Sequence, residues 1–301
     1  MSGKRKVIVI TGPTASGKTA LAVRLAKAIE AEIVSADSRQ VFRHMNIGTG
    51  KDLEEYGSVP YHLIDIRSPS EEFSVVDFRQ LALRAIGDIL SRDRFPILCG
   101  GTGHYLKALI ENYRFDHAPT DRRYTGRLEK LSRGELCAIL ESHRLWDGRD
   151  WAGESKRRMA RAIEKAQAAK RPESDADERY DYPTRIYHVR PERKQLAERI
   201  GQRLRERLRM GMVEEVSGLL ERGVDCERLE RFGLEYRWIL RHLEGKLSRR
   251  EMEQKLFVEI CRFAKRQITF LRYLEKSGHR LIPVRSYEEL RSDATRWIGE
   301  M

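Results

Sequence analysis

The sequence predicts an α/β fold, in which helices cover both faces of a parallel sheet, together with a helical insertion. Short apolar segments alternate with segments whose apolar residues recur at helical spacing, a pattern typical of parallel-sheet proteins. The stretch from about Phe115 to Pro183 interrupts this alternation, because it is charged, helical in pattern and bounded by loop-like sequence. We therefore expect residues 1–114 and 184–301 to form the core with its C-terminal helices, and residues 115–183 to form the insertion.

The core elements follow one another along the chain. Apolar strands are expected at Lys6–Ile10, Ile33–Ser35, Phe95–Cys99, Arg185–Val189 and Arg280–Val284. Helices are expected at Val75–Arg92, Leu106–Glu111, Leu196–Arg209 and Glu251–Glu275. A further helix should follow the first strand, because Leu21, Leu25, Ala28 and Ile29 fall at i, i+4, i+7 and i+8 and share one helical face.

Composition limits the class of protein. The 301 residues suffice for a packed core. No apolar run approaches the ~18–20 residues of a membrane span, and the start of the chain lacks the pattern of a signal peptide. The four cysteines are scattered, which argues against a disulfide framework and a zinc site. We therefore expect a cytoplasmic protein without a membrane segment.

The charge of the chain is basic and unevenly distributed. The net charge is +12, from 58 Lys and Arg against 46 Asp and Glu, and residues 184–301 carry 27 basic and 19 acidic side chains. A basic excess favours a polyanionic partner, but many basic proteins bind none. Charge alone therefore does not decide whether the protein binds nucleic acid.

A glycine-rich turn follows the first strand. Residues Gly12–Thr19 read GPTASGKT and match G-x-x-x-x-G-K-[ST] between a strand and a helix. In such a phosphate loop, backbone N–H groups and the helix N-terminus surround a phosphate. Lys18 is expected to reach phosphate oxygens, and the Thr19 hydroxyl to help hold Mg²⁺. The turn thus predicts a phosphate-loop core that binds a phosphate or diphosphate through Gly12, Pro13, Thr14, Ala15, Ser16, Gly17, Lys18 and Thr19; a plain turn opening a helix is the alternative.

Two more strands end in chemically useful residues. Asp37 follows the strand Ile33–Ser35, at the sheet edge where ligands of open α/β sheets bind. Its carboxylate could bind Mg²⁺, accept a proton or cap the next turn. The strand Phe95–Cys99 runs into Gly100–Gly103, where Thr102 offers a hydroxyl; a tight turn is the alternative. This strand lacks a terminal acid, which disfavours an ordinary nucleotide hydrolase.

Taken in order, these motifs resemble those of the tRNA dimethylallyltransferase family. Nine matching segments cover nearly the whole chain: Gly12–Thr19, Ser35–Ser38, Met45–Thr49, His62–Ile66, Gly100–Gly103 with Tyr105, Arg158–Glu164, Arg199–Gly211, Gly233–Tyr236 and Arg262–Gln267. The resemblance implies transfer of a dimethylallyl group from its diphosphate to N6 of the adenosine just 3′ of the tRNA anticodon, with Mg²⁺ as cofactor.

The resemblance also implies roles for individual residues. Asp37 would be the catalytic base, Thr102 would hold the flipped adenine, and Lys18 would stabilise charge on the leaving diphosphate. Arg199 and Arg203 would clamp the diphosphate or the tRNA backbone, although surface ion pairing is an alternative for both. The partners would be dimethylallyl diphosphate and the anticodon arm of tRNA, bound by a monomer.

A larger set of residues is expected to contact tRNA. It comprises Asp37, Ser38, Arg39, Gln40, Thr102, Arg123, Arg157, Arg158, Arg161, Arg262, Lys265 and Arg266. The arginines of residues 156–171 and 262–266 would neutralise phosphates. A solvated helix face is the alternative for the first group, and Phe263 and Phe270 beside the second are expected to belong to the core.

Three other functions are compatible with parts of the sequence. An adenylate isopentenyltransferase would prenylate free AMP or ADP, but it would leave the basic C-terminal region without an evident task. A small-molecule kinase of the phosphate-loop type would transfer a phosphoryl group and use Arg157 or Arg158 as a lid. A nucleic-acid-binding protein gated by nucleotide would show no turnover.

Overall fold

A computed structural model describes residues 5–113, 122–143, 151–167 and 179–300 of the protein. These residues divide into two compact units. The first unit contains residues 5–113 and 179–300, and the second contains residues 122–143 and 151–167, within the predicted insertion. Residues 179–183, which the sequence suggested as the end of the insertion, group with the first unit.

The first unit contains a parallel six-stranded sheet. Its strands are β1 (Val7–Thr11), β2 (Ala31–Ser35), β3 (Tyr61–His62), β4 (Phe95–Gly100), β5 (Thr184–His188) and β6 (Leu281–Pro283). The strand order is β3-β2-β4-β1-β5-β6, and every pairing is parallel. The predicted α/β class is confirmed. Because β1 is central, the loop that follows it lies at the middle of the sheet's carboxyl edge.

Helices occupy much of the remaining described chain. They are α1 (Lys18–Ile29), α2 (Val75–Ser91), α3 (Gly103–Ile110), α4 (Arg122–Lys130), α5 (Arg133–Ser142), α6 (Lys156–Gln167), α7 (Arg193–Arg209), α8 (Met212–Glu221), α9 (Cys226–Phe232), α10 (Leu234–Leu243), α11 (Arg249–Lys276) and α12 (Tyr287–Gly299). Capping boxes stabilise the N-termini of α2, α5 and α11. In each of them a serine hydroxyl accepts a hydrogen bond from the backbone N–H three residues later, and the carboxylate at that later position accepts one from the backbone N–H of the serine.

Alternation along the strands places helices on both faces of the sheet, as predicted. Val7 and Val9 of β1 pack in one apolar cluster with residues of α2 and α3. Ile8 and Ile10 pack in another with residues of α1 and α12. All four side chains are buried, so β1 is covered on both sides.

Several element boundaries differ from the sequence prediction by one to three residues, and one strand was not predicted. The strand β3 was missed, because it is only two residues long and its Tyr61 is exposed, so it carries no apolar pattern. Helices α3 and α7 both begin three residues earlier than predicted, because their first turns are polar or glycine-rich and carry no apolar periodicity.

The buried face of α1 is also corrected. The fully buried residues are Ala22, Val23, Leu25 and Ala26, whereas Ala28 is exposed and Leu21 and Ile29 are half-buried. The stripe toward the sheet is therefore rotated by about one residue from the predicted one. Small alanines face the sheet because α1 packs closely against β1, β2 and β4.

Two further clusters complete the packing. In the first unit, α7 to α11 enclose apolar residues that include Val41, Phe42 and Met45 of the loop after β2. In the second unit, α4, α5 and α6 share their own core, which includes Leu136, Leu140 and Met159. Within the described part of the chain, no helix is long and apolar enough to cross a membrane.

Candidate active site

The phosphate loop has the backbone of an anion site. It leaves β1 at Gly12 and enters α1 through Gly17, whose φ of +83° places it in the left-handed region that favours glycine. Ala15 also has a positive φ, of +58°. The buried Ser16 hydroxyl has no hydrogen-bond partner among the described residues. The loop is thus held in a turn that can direct polar groups at a ligand.

Lys18 lies within this loop rather than in solvent. Its Nζ donates to the carbonyl of Pro13 at 3.3 Å. Burial lowers the pKa of Lys18, and the nearby Arg203 and Arg207 lower it further, while Cys99 and Asp37 act in the opposite sense. A bound anion would offset the electrostatic repulsion between Lys18 and these two arginines.

A cavity of about 420 Å³ opens beside the loop. The phosphate loop and the start of α1 form one wall, with Ala15, Gly17, Lys18, Thr19 and Ala20. Helix α7 and the residue after it form the opposite wall, with Arg199, Gln202, Arg203, Glu206, Arg207 and Met210, while Asp52 and Glu55 complete the lining. The two diphosphate-binding arginines predicted from the sequence therefore face the phosphate loop across this cavity.

Arg207 is a third arginine on the same wall, and the sequence prediction missed it. It follows Arg203 by four residues, so the spacing of 199, 203 and 207 on one helical face was the available signal. Asp52 Oδ2 forms an ion pair with Arg203 and lies 3.9 Å from Arg207 Nη2. Burial lowers the pKa of Arg207, and Arg203 adds to the effect. An acid of the chain itself thus neutralises part of this arginine cluster.

Asp37 has one engaged and one available oxygen. Its Oδ1 accepts the backbone N–H of Arg39 at 2.8 Å and that of Gln40 at 3.4 Å. Its Oδ2 forms no hydrogen bond with any described residue. The turn-capping interpretation therefore holds for one oxygen, and the second remains available to accept a proton.

Thr102 lies against the Asp37 loop. Its Oγ1 accepts the backbone N–H of Ser38 at 3.2 Å, and its own N–H donates to the carbonyl of Ala36 at 3.3 Å. These two bonds hold the loops after β2 and β4 side by side. The structure thus brings Asp37 and Thr102 together at the carboxyl edge of the sheet.

Arg39 and Gln40, which were expected to contact tRNA, are half-buried and form contacts with neighbouring parts of the chain. The Arg39 guanidinium lies over the Phe232 ring, 5.3 Å from its centroid, and burial lowers its pKa. Gln40 accepts from the Ser35 hydroxyl at 2.9 Å and donates to the carbonyl of Gly50 at 3.1 Å. Both side chains therefore stabilise the loop that carries Asp37.

Gln267 of α11 also reaches this site. Its Oε1 accepts the backbone N–H of Thr14 in the phosphate loop at 2.8 Å. Its Nε2 donates to the carbonyl of Gly101 at 2.9 Å. Gln267 lies in the Arg262–Gln267 motif, but no role was predicted for it, because the sequence of an Arg-rich stretch does not show which residue turns inward.

The three basic residues of α11 that were expected to contact tRNA lie on its outer face. Arg262, Lys265 and Arg266 are exposed, and Arg262 pairs with Glu259 at 2.6 Å. Phe270 is half-buried and packs against the core cluster of α2 and α3, as expected. All three side chains are thus exposed at the surface, although Arg262 is already paired with an acid on the same helix.

The three arginines of α6 differ in their exposure and in their partners. Arg157 and Arg158 of α6 are exposed, and Arg158 pairs with Glu154 at 2.7 Å. Arg161 is half-buried and forms an ion pair with the buried Glu164. The side chain of Arg123 lies outside the described part of the structure.

The residues around the cavity fit a metal that the ligand itself helps to hold. Among the described residues, no group of three or more His, Cys, Asp and Glu side chains is arranged to bind a metal. Thr19 lines the cavity beside Lys18 and brings one hydroxyl to this wall. One hydroxyl with phosphate oxygens and water is a donor set that Mg²⁺ prefers.

Comparisons with known proteins identify the family to which this chain belongs. The model of the IPP transferase family matches residues 40–273, and that of the isopentenyl transferase family matches residues 5–59. The chain is 48% identical over 274 residues to tRNA dimethylallyltransferase 2 of Pelobacter propionicus, covering 90% of this chain and 87% of that protein. It is 44% identical over 296 residues to tRNA dimethylallyltransferase 1 of Syntrophus aciditrophicus, covering 95% and 96%.

A solved structure shows the same fold. The tRNA isopentenylpyrophosphate transferase of Bacillus halodurans superposes with a TM-score of 0.72 at 32% sequence identity, over 98% of this chain and 97% of that one. The family match covers more than half of the chain, and the relatives are similar over nearly their whole length. The chain therefore belongs to the tRNA dimethylallyltransferase family and is a tRNA prenyltransferase.

Proposed function

We propose that the protein transfers the dimethylallyl group of dimethylallyl diphosphate to N6 of the adenosine 3′ of the tRNA anticodon and releases diphosphate. The observation that supports this most strongly is that one sheet edge carries both halves of such a site. The phosphate loop and the α7 arginines suit a diphosphate, and Asp37 with Thr102 suits an adenine beside it.

The donor would bind in the cavity beside the phosphate loop. A volume of about 420 Å³ lies within the usual range of small-molecule sites. Lys18, Arg199, Arg203 and Arg207 would surround the diphosphate. When the bond between the dimethylallyl carbon and the diphosphate oxygen breaks, the electron pair leaves with that oxygen, and these cations stabilise the charge that develops there.

Mg²⁺ is proposed as the cofactor, held by the Thr19 hydroxyl. When bound, it would neutralise part of the diphosphate charge. Lys18 and the α7 arginines would neutralise the rest of the diphosphate charge.

The acceptor would be held by the neighbouring loops. An exocyclic amine conjugated to a purine is a weak nucleophile, so Asp37 Oδ2 would accept the N6 proton as the new N–C bond forms. The Thr102 hydroxyl, already an acceptor for Ser38, keeps its proton to donate to the flipped base. Flipping costs a few kcal/mol, which contacts to the anticodon arm must offset.

The exposed cations are proposed to supply those contacts. Arg157 and Arg158 on α6, and Arg262, Lys265 and Arg266 on α11, would neutralise tRNA phosphates. We propose a monomer that acts in the cytoplasm.

Nucleoside analysis of the product tests the proposal. Unmodified tRNA is incubated with enzyme, Mg²⁺ and dimethylallyl diphosphate, then digested and analysed by mass spectrometry. We expect N6-dimethylallyladenosine, and none from a matched tRNA with guanosine at the position 3′ of the anticodon. Equal prenylation of both tRNAs would refute the proposed acceptor site.

A further inference from the structure

We propose that Gln267 is a positioning residue that fixes the phosphate loop against the loop that holds the acceptor base. The inference rests on the proposed function, because it concerns the alignment of donor and acceptor in that reaction. In this role Gln267 would act through the two loops rather than by contact with a substrate.

Both ends of its amide are bonded to backbone. The Oε1 accepts from Thr14 N at 2.8 Å, and the Nε2 donates to Gly101 O at 2.9 Å. Thr14 belongs to the donor loop, and Gly101 precedes Thr102 in the acceptor loop. A single side chain therefore joins the two loops, which are more than eighty residues apart in sequence.

The two loops are so close together that no further group fits between them. A Cβ on Gly101 would lie 2.2 Å from Gln267 Nε2 and 2.9 Å from the carbonyl oxygen of Gly12. Both distances are far below van der Waals contact. The backbones of the two loops are therefore in close contact, and the Gln267 amide lies beside them. The side chain of Gln267 is 8% exposed. Water cannot replace its two bonds without widening the gap.

The connection continues from Gly101 to the catalytic base. Thr102 is bonded through its N–H to Ala36 and through its Oγ1 to Ser38, the residues on either side of Asp37. The sequence of contacts thus runs from the phosphate loop through Gln267 and the Gly101 loop to Asp37. Any shift at Gln267 would change the distance between the leaving diphosphate and the base.

Gln267 is held on a rigid element. It belongs to α11, a helix of 28 residues, between the buried residues Ala264 and Leu271 on the same face. Phe270, one turn away, packs where a Cβ on Gly103 would be, 2.3 Å from its ring. Helix α11 thus contacts this part of the chain at Gly101 and at Gly103. Two such contacts fit a role in positioning rather than in binding.

Gln267→Met tests the inference, because methionine has nearly the same length and no hydrogen-bonding amide. Gln254→Met is the matched control, since Gln254 lies on the same helix and is exposed. Turnover is divided by the number of sites that bind inorganic diphosphate, measured by calorimetry, so that unfolded protein is not counted. We expect kcat per site to fall roughly tenfold or more, with KM for each substrate and the affinity for diphosphate changed less than about threefold.

Gln267→Glu gives a second, independent readout. Its carboxylate can still accept from Thr14 but repels the carbonyl of Gly101. Once protonated, the introduced carboxyl matches the amide, with one acceptor and one donor. Burial raises the pKa of such a group, so we expect its kcat relative to wild type to rise as the pH is lowered from about 8 to 6, whereas the ratio for Gln267→Met stays flat.

Several results would overturn the inference. Gln267→Met with kcat per site within twofold of wild type would show that alignment does not depend on the amide. A loss confined to the number of diphosphate-binding sites would indicate a purely structural role. Parallel pH profiles for the two variants would contradict the bond to Gly101. Failure of the proposed function is distinguishable, because the wild-type enzyme itself would then not prenylate tRNA.

Discussion

Asp37→Asn separates the turn bonds that this side chain forms in the structure from its proposed role as general base. The amide oxygen of asparagine can accept the same N–H groups of Arg39 and Gln40 that Oδ1 now accepts, so the turn is retained. The amide cannot accept the N6 proton. Loss of a general base typically costs 10²–10⁴ in rate, or about 3–5 kcal/mol in the activation barrier. We therefore expect kcat to fall by about 10²–10⁴, with tRNA affinity little changed.

Asp37→Ala is the matched variant. It removes the acceptor of the turn as well as the base, so it should lose a further ~0.5–1.5 kcal/mol of folding stability. Single-turnover prenylation at saturating tRNA measures the chemical step, and thermal unfolding measures the turn. If Asp37→Asn turned over at near-normal rate, Asp37 could not be the base. If only the alanine variant were slow, its role would be confined to the turn.

Four further predictions follow from the site. Arg207→Ala should weaken diphosphate binding about 10- to 100-fold in calorimetry, and Arg209→Ala, outside the cavity, should not; equal effects would contradict the direct role of Arg207. Asp52→Asn should tighten diphosphate roughly two- to fivefold by freeing the arginine pair, and weaker binding would contradict this. Because burial lowers the pKa of Lys18 and a bound anion raises it, diphosphate binding should take up a proton above the lowered pKa and affinity should fall as pH rises through it; calorimetry in buffers of different ionisation enthalpy detects this uptake, and no uptake up to the ordinary lysine range would refute it. Arg157→Ala should lower tRNA affinity and reduce the salt slope by about 1 without changing stability, whereas an unchanged slope would indicate a solvated face.

The sequence predicted the features that depend on local pattern. The phosphate loop was found because its glycines, Lys18 and hydroxyl have fixed spacing between a strand and a helix. Asp37 and Thr102 were proposed as site residues because parallel strands end at the same edge of the sheet, so residues after β2 and β4 come together wherever they lie in the chain. Arg199 and Arg203 were placed by their motif, and the structure puts them across the cavity from the phosphate loop.

Features that depend on tertiary packing could not be predicted in this way. Arg39 reads as an exposed cation, yet it lies on the Phe232 ring, which comes from a helix almost two hundred residues later. Gln267 stands in a run of cations, and only the docking of α11 against two loops turns its amide inward. Asp52 pairs with α7 because the loop after β2 folds back across the sheet edge. In each case the contacting residue is distant in sequence, so no local sequence pattern predicts the contact.

The most direct test of prenyl transfer to tRNA is the partition of label between acceptors. The enzyme is incubated with Mg²⁺ and radiolabelled dimethylallyl diphosphate, with either unmodified tRNA or AMP, and released diphosphate is measured in the same reaction. We predict label in tRNA alone, with one diphosphate released for each group transferred. Label in AMP, or diphosphate release without labelled tRNA, would contradict the assignment of tRNA as the acceptor.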